Sequence, residues 1–157
     1  MKAAAKISWK LVRRHFWMLI MLAYLVLALL PGRFWYDPGQ MEILDAAPGE
    51  PVQILYQGGA RREFLGRYTV TMRRFETQEI VCEASSGFFP YRTDSQRPDP
   101  LYMDWWAPAD PRCNNPPTGH FQTTTCWTVS RILWGLVPPK HVCTDPIGHS
   151  VRPVSGG

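Results

Sequence analysis

A continuous run of fifteen apolar or aromatic residues, Phe16 to Leu30, constrains the fold of this 157-residue chain more than any other feature. No acidic residue precedes the run, whereas five cations do: Lys2, Lys6, Lys10, Arg13 and Arg14. A basic start followed by an apolar stretch is typical of a segment that directs a chain to a membrane. Because such cations stay in the cytoplasm, residues 1–14 are predicted to be cytoplasmic and the remainder exported.

The length of the apolar segment bears on whether it is a permanent membrane anchor or a signal that is cleaved off. Fifteen helical residues extend about 22 Å, less than the roughly 30 Å of hydrocarbon in a bilayer. With the interface-type aromatics Phe34, Trp35 and Tyr36 included, residues 15–36 extend about 33 Å, so we expect an uncleaved transmembrane anchor there. The alternative is a cleaved secretory signal, although no Ala-x-Ala site follows the run directly. Under the first interpretation the chain is a single-pass protein of the cytoplasmic (inner) membrane with its C-terminal domain in the periplasm.

The charge of the exported part argues against a nucleic-acid partner. The whole chain has a formal charge of +4, but residues 34 to 157 hold only 11 of the 17 basic residues and all 13 acidic ones, a net charge of −2. These basic residues are scattered apart from two Arg-Arg pairs, unlike the basic patch that binds DNA or RNA. The exported part, about 120 residues long, suffices for one domain with a core but not for two.

Four cysteines occur in the chain, all in the exported part: Cys82, Cys113, Cys126 and Cys143. An even number of cysteines in an oxidising compartment predicts two disulfide bonds. Four cysteines allow three pairings, which spacing alone does not distinguish. A bridge between the sheets of a sandwich would join Cys82 to Cys126, and this pairing is one of the possibilities.

Short alternating segments separated by Gly and Pro predict strands in the exported part. They cover residues 52–56, 67–74, 79–84, 101–107, 120–129 and 141–144. No amphipathic helical pattern interrupts them, so the expected fold is all-β: an immunoglobulin-like β-sandwich after one transmembrane helix, with a small Greek-key barrel as the alternative. The sandwich is assigned to residues 52–147, between a Pro- and Gly-rich stalk at 37–51 and a disordered tail at 148–157.

Three histidines and one cysteine are the candidate ligands for a copper or zinc ion: His120, His141, His149 and Cys143. Structural metal sites use closely spaced ligand pairs such as Cys-x-x-Cys or His-x-x-x-His, which this chain lacks. We therefore expect no metal and no cofactor.

Carboxylates are the other candidate catalytic groups, since a pair of them can catalyse the hydrolysis of a glycoside. Four lie in or beside Pro-rich loops: Asp94, Asp99, Asp104 and Asp110. Aspartate is favoured in such loops for turn formation alone. No catalytic residue is therefore assigned, and the protein is predicted not to be an enzyme.

Aromatic residues cluster in the connections between the predicted strands. The candidate contact surface comprises Phe88, Phe89, Tyr91, Trp105, Trp106 and Trp134. Adjacent residues of a strand face opposite ways, so Trp105 and Trp106 cannot both enter one core, and one of them is expected outside it. Exposed aromatics mark surfaces that contact a partner, a glycan or a membrane.

A basic start, one apolar helix, a Pro-rich stalk and Thr- and Trp-rich strands follow one another along the chain, with turn segments such as Pro116-Pro117-Thr118-Gly119 between strands. This order resembles small membrane-anchored proteins of unknown function from bacteriophages and prophages of proteobacteria. The resemblance is architectural and carries over no functional residue.

The sequence predicts a non-enzymatic protein held in the lipid bilayer by its helix, whose sandwich contacts a partner protein or envelope component. One alternative is a metal-delivery or assembly factor of a membrane complex, which requires a reduced cysteine. The other is a phage lysis or superinfection-exclusion factor that acts through its membrane helix.

Overall fold

The apolar run forms most of the first helix, α1, which spans Trp9–Leu29. The helix ends just before Pro31, because the residue before a proline is disfavoured in the helical conformation. A 3₁₀ turn at Gly32–Phe34 follows and leads directly into the first strand. The computed structural model from which these elements are taken describes residues 9–94, 100–108, 110–130 and 132–152.

The predicted outer end of the anchor belongs instead to the β domain. Trp35 and Tyr36 are buried in the hydrophobic core, and Phe34 packs against that core from outside. The anchor expected at residues 15–36 is therefore helical only to Leu29. A sequence pattern that placed these aromatics at a headgroup boundary is equally typical of large side chains entering a small core.

Eleven strands and two short helices follow within the described residues. The strands are β1 Tyr36–Asp37, β2 Met41–Ile43, β3 Gln53–Tyr56, β4 Gly59–Ala60, β5 Phe64–Arg74, β6 Ile80–Ser85, β7 Phe89–Tyr91, β8 Leu101–Tyr102, β9 Gly119–Ser130, β10 Lys140–Cys143 and β11 Ile147–Val151. The short helices are α2, Met103–Trp106, and α3, Pro111–Asn114. A further 3₁₀ turn lies at Ile132–Gly135.

The two longest strands, β5 and β9, pair antiparallel at the centre of a six-stranded sheet. Along each strand, buried and accessible residues alternate as the sequence predicted, because successive side chains of a strand point to opposite faces. The buried face is made by two sets: Tyr68, Val70 and Met72 from β5, and Phe121, Thr123, Thr125, Trp127 and Val129 from β9. The two clearest strand predictions are thus confirmed.

Strand β6 departs from the expected alternation at its first residue. Cys82 and Ala84 are buried as predicted, whereas Ile80 is exposed. The register with β5 shifts at this point, so Met72 opposes Cys82 but Arg73 opposes Ile80. Such a bulge adds one residue to one strand and changes the face of the next side chain.

The expected stalk at residues 37–51 is partly sheet. Strand β1 pairs with β4, and β2 pairs with β3 in a three-stranded sheet completed by β8. Ile43 of β2 is buried in the same core as the large sheet. The domain consequently begins at residue 35 or 36 rather than at Val52, because Pro and Gly at 37–51 form turns between short strands and not an extended linker.

A disordered tail was expected from residue 148, but ordered structure continues beyond that residue. Strand β11 pairs with β9, and Val151 bridges in parallel to Ala46. The Asp45 side chain accepts a hydrogen bond from the Ser150 backbone N–H at 2.7 Å. Residues 148–151 are therefore ordered sheet, and residues 153–157 lie outside the described part of the chain.

Both disulfide bonds are present, Cys82–Cys113 and Cys126–Cys143. The first joins β6 to α3, and the second joins β9 to β10 at directly opposed positions. The Cys82–Cys126 pairing considered above is wrong, because both residues lie in the same sheet, on strands separated by β5. The fold is thus mainly β, with three sheets sharing one core and two disulfide bonds.

Candidate functional site

A cleft of about 710 Å³ opens where the three sheets meet. Its walls come from β1, β3, β5, β7, α2 and β9, together with the turn after β3. Eight of its lining residues are aromatic: Tyr36, Tyr56, Tyr68, Phe89, Tyr91, Trp105, Trp106 and Trp127. We refer to this cavity and its lining as the aromatic cleft.

The first half of the cleft wall is a stack of rings carried by β5 and β7. Tyr91 and Phe89 are stacked, with ring centroids 4.5 Å apart, and Phe89 meets Tyr68 edge-on at 6.0 Å. Tyr91 also stacks on Phe64 at 4.6 Å. Strand β7 pairs with β5 from Phe64 to Gly66, which brings these rings together.

The second half of the cleft wall begins with the contact between Tyr68 and Trp106. The centroids of these two rings are 5.1 Å apart. Trp106 contacts Tyr56 at 5.2 Å, and Tyr56 lies parallel to Trp127 at 6.0 Å. Tyr36 then contacts Trp127 at 4.7 Å and Tyr91 at 5.5 Å. The ring contacts therefore form a closed circuit through seven side chains that line one cavity.

Two tryptophans at the end of α2 have different roles in the cleft. Residues 101–107 were expected to form one strand, but Met103–Trp106 is a helical turn. Trp106 is buried and donates a hydrogen bond from Nε1 to Thr125 Oγ1 at 3.1 Å, which fixes its ring in the wall. Trp105 remains 48% exposed at the rim. One tryptophan is inside and one outside, although a helical turn and not strand alternation separates them.

Polar groups lie among the aromatic rings. Gln57, Thr93 and Arg92 line the cleft, and the Tyr36 and Tyr56 hydroxyls hydrogen-bond to each other. Burial raises the pKa of Tyr68 to about 12, so its phenol stays protonated at neutral pH. The cleft thus offers both flat apolar faces and hydrogen-bonding groups, a combination typical of small-molecule sites.

Glycines keep one side of the cleft narrow. A Cβ on Gly58 would lie 2.5 Å from the Pro38 carbonyl oxygen and 2.6 Å from that of Asp37. Gly39, whose φ of +58° favours glycine, packs against Gly58 in the same way. The turn after β3 therefore sits directly on the β1 segment and closes the wall behind Tyr56.

The predicted contact residues are only partly brought together. Phe89, Tyr91, Trp105 and Trp106 all line the cleft. Phe88 is 55% exposed and outside it, with the Arg67 guanidinium over its ring. Trp134 falls in the turn Ile132–Gly135, and its side chain lies outside what the structure describes.

The candidate metal ligands lie apart. His120 and His149 sit at adjacent positions of paired strands, opposite Ser150 and Phe121 respectively, so they face different sides of the sheet. His141 is opposite Thr128, and Cys143 is in a disulfide. Burial lowers the pKa of His149 and favours its neutral form. The described residues contain no group of three or more His, Cys, Asp or Glu side chains arranged for a metal ion.

The four loop carboxylates have structural surroundings where they are described. Asp110 begins α3 and pairs with Arg112 at 2.7 Å, which lowers its pKa to about 2. Asp104 accepts from the Trp105 N–H, and Asp94 is exposed beyond β7. Asp99 lies outside the described residues.

Sequence reasoning missed half of the cleft. Tyr36 was assigned to the anchor, while Tyr56, Tyr68 and Trp127 were identified only as strand residues. Their alternation did signal a buried face, but that pattern is the same for a filled core and for the wall of a cavity. No protein-family model, no curated protein and no solved structure matches this chain, so its geometry alone describes the site.

Proposed function

We propose that the protein is a membrane-anchored, extracytoplasmic binding module whose aromatic cleft holds a component of the cell envelope. The closed circuit of aromatic rings around one cavity is the observation that carries this proposal. Stacking faces and hydrogen-bonding groups hold a ligand without providing a nucleophile or an acid–base pair, so the proposed activity is binding and not catalysis. Within the mainly β fold, an immunoglobulin-like sandwich is the finer assignment that we propose.

The surface of α1 supports the membrane part of the proposal. Large apolar side chains of this helix are exposed: Phe16, Trp17, Met18, Leu19, Ile20, Met21, Leu22, Tyr24, Leu25, Val26 and Leu29. Among the described side chains of α1, Leu27 packs against the domain core. A helix that is apolar on all sides is stable only when something apolar surrounds it, and a bilayer satisfies this requirement. Within the described residues, no helix reaches the combined length and hydropathy expected of a membrane span.

Two arginines placed in the exposed apolar face should release the protein from the membrane. We expect wild type to remain in the pellet after alkaline carbonate extraction of bacterial membranes. L19R/L22R should move to the supernatant, because each arginine at the centre of a lipid-embedded helix costs about 2.5 to 3.5 kcal/mol.

A matched control introduces the same charges outside the helix. Leu55 and Ile80 are exposed on the β domain, so L55R/I80R should stay in the pellet. Extraction of wild type by carbonate, or equal retention of both variants, would contradict the anchor.

Photo-cross-linking tests the binding part of the proposal. Thr93 lines the cleft and is exposed, so p-benzoylphenylalanine at this position should form a covalent adduct with an envelope component in intact cells. The adduct should disappear when Trp105 is changed to Ala. The same cross-linker at Ile80, on the far strand β6, controls for random encounters, and adducts that do not depend on Trp105 would count against the cleft.

A further inference from the structure

We infer that the aromatic cleft binds a carbohydrate, namely one or two pyranose rings of an envelope glycan. This inference names the ligand class of the proposed binding module and therefore rests on that proposed function. It depends on three features of the cleft: the arrangement of its rings, the polar groups between them, and its size.

The rings offer surfaces that complement a sugar. A pyranose has a flat face of C–H groups, which is apolar and packs against the face of an aromatic ring. Trp105 and Phe89 both line the cleft, and they are 48% and 36% exposed. Trp105 lies 6.1 Å from the fixed, buried ring of Trp106, which supports the exposed Trp105 ring from one side.

The polar groups complement the rest of a sugar. Its equatorial hydroxyls both donate and accept hydrogen bonds, and they need partners when they leave water. Gln57, Thr93 and the phenol of Tyr68 supply donors and acceptors around the cavity. A hydrocarbon chain in the same place would offer no hydrogen bonds to these groups, which favours a hydroxylated ligand over a lipid tail.

The size of the cleft separates a sugar from a peptide ligand. A volume of about 710 Å³ is typical of sites for small ligands, and it holds a short sugar unit rather than an extended peptide along a shallow groove.

Titration of the full-length protein with defined disaccharides tests the inference. N,N′-diacetylchitobiose, cellobiose and maltose are added to protein in a polyoxyethylene detergent, because a sugar-based detergent would itself occupy the cleft. Tryptophan fluorescence should change saturably with at least one of them, since Trp105, Trp106 and Trp127 line the cavity. Protein-free peptidoglycan sacculi provide a polymeric probe, which should co-sediment with the protein.

Two variants of neighbouring exposed aromatics give the contrast. Trp105→Ala should raise the dissociation constant about tenfold by removing one stacking face. Phe88→Ala should change it less than twofold, because Phe88 is as exposed but lies outside the cleft. Far-UV circular dichroism checks that both variants are folded.

The outcomes distinguish the ligand class from the binding function. No binding of any of the three disaccharides or of sacculi, or an equal affinity of Trp105→Ala and wild type, would overturn the carbohydrate inference. Decaproline serves as the peptide probe: Trp105-dependent binding of decaproline without sugar binding would overturn the inference while leaving the binding module intact. If Trp105-dependent cross-links in cells are also missing, the proposed function fails as well.

Discussion

Trp127→Ala is expected to destabilise the β domain by about 3 to 5 kcal/mol, the range for truncation of a large buried aromatic side chain. Trp127 is only 1% exposed and forms the base of the aromatic cleft. It contacts Tyr36, Tyr56 and Trp106, which come from three different elements. Loss of its ring would leave these three without their common partner, and the surrounding sheets can relax only partly into the space. Urea unfolding followed by far-UV circular dichroism would measure the change in free energy.

The same truncation at the rim provides the control. Trp105→Ala removes an identical side chain, but one that is half exposed, so its cost should stay below about 1 kcal/mol. An equal loss of stability in both variants would show that Trp127 is not the packing centre that the ring contacts indicate.

Removal of the Cys82–Cys113 disulfide is the second change with a large expected effect. Its two cysteines are 31 residues apart, and loop-closure entropy predicts a loss of about 3 to 4 kcal/mol for C82A/C113A. The chain between them carries Phe89, Tyr91, Trp105 and Trp106, four members of the aromatic cleft. Hydrogen exchange should therefore accelerate across residues 89–94 and 100–106 in addition to the fall in global stability.

C126A/C143A is the matched variant for this prediction. Its cysteines are 17 residues apart, so the same relation gives a similar loss of about 3 kcal/mol. This disulfide, however, links β9 to β10, which backbone pairing already holds together. Exchange at residues 89–94 and 100–106, measured under conditions where both variants are folded, should stay near wild type in C126A/C143A. Equal acceleration in both variants would contradict a local role for the first disulfide.

The parts of the fold that the sequence predicted correctly are those with long, local patterns. Strands β5 and β9 are eleven and twelve residues long and alternate over most of that length, and both disulfides followed from the number of cysteines and their location. Pairing of Cys82 with Cys113 depends on how α3 returns to β6, which is a long-range contact. Strands of two or three residues such as β1 and β2 have no detectable period, so they were mistaken for a stalk.

The aromatic cleft was predictable to the same extent. Phe89, Tyr91, Trp105 and Trp106 lie in neighbouring connections, and their clustering in the sequence led to the prediction of a contact surface. Tyr36 reaches the cleft because β1 pairs with β4. This pairing involves only two residues of each strand, and no local sequence pattern predicts it. Composition thus identified the aromatic side chains, whereas tertiary pairing decided that they surround a cavity.

The junction between α1 and the β domain has a mechanical consequence. Lys140 donates a hydrogen bond to the Ala28 carbonyl, and Gly32 is packed so closely that a Cβ would lie 3.0 Å from the His141 carbonyl oxygen. A free linker of fifteen residues could reach about 50 Å and let the domain rotate at will. The docked junction instead couples the domain to the helix as a lever. In the membrane-anchored binding module proposed above, any tilt of the helix axis would reorient the mouth of the cleft, and the depth of the helix in the bilayer would set the height at which the cleft meets a ligand.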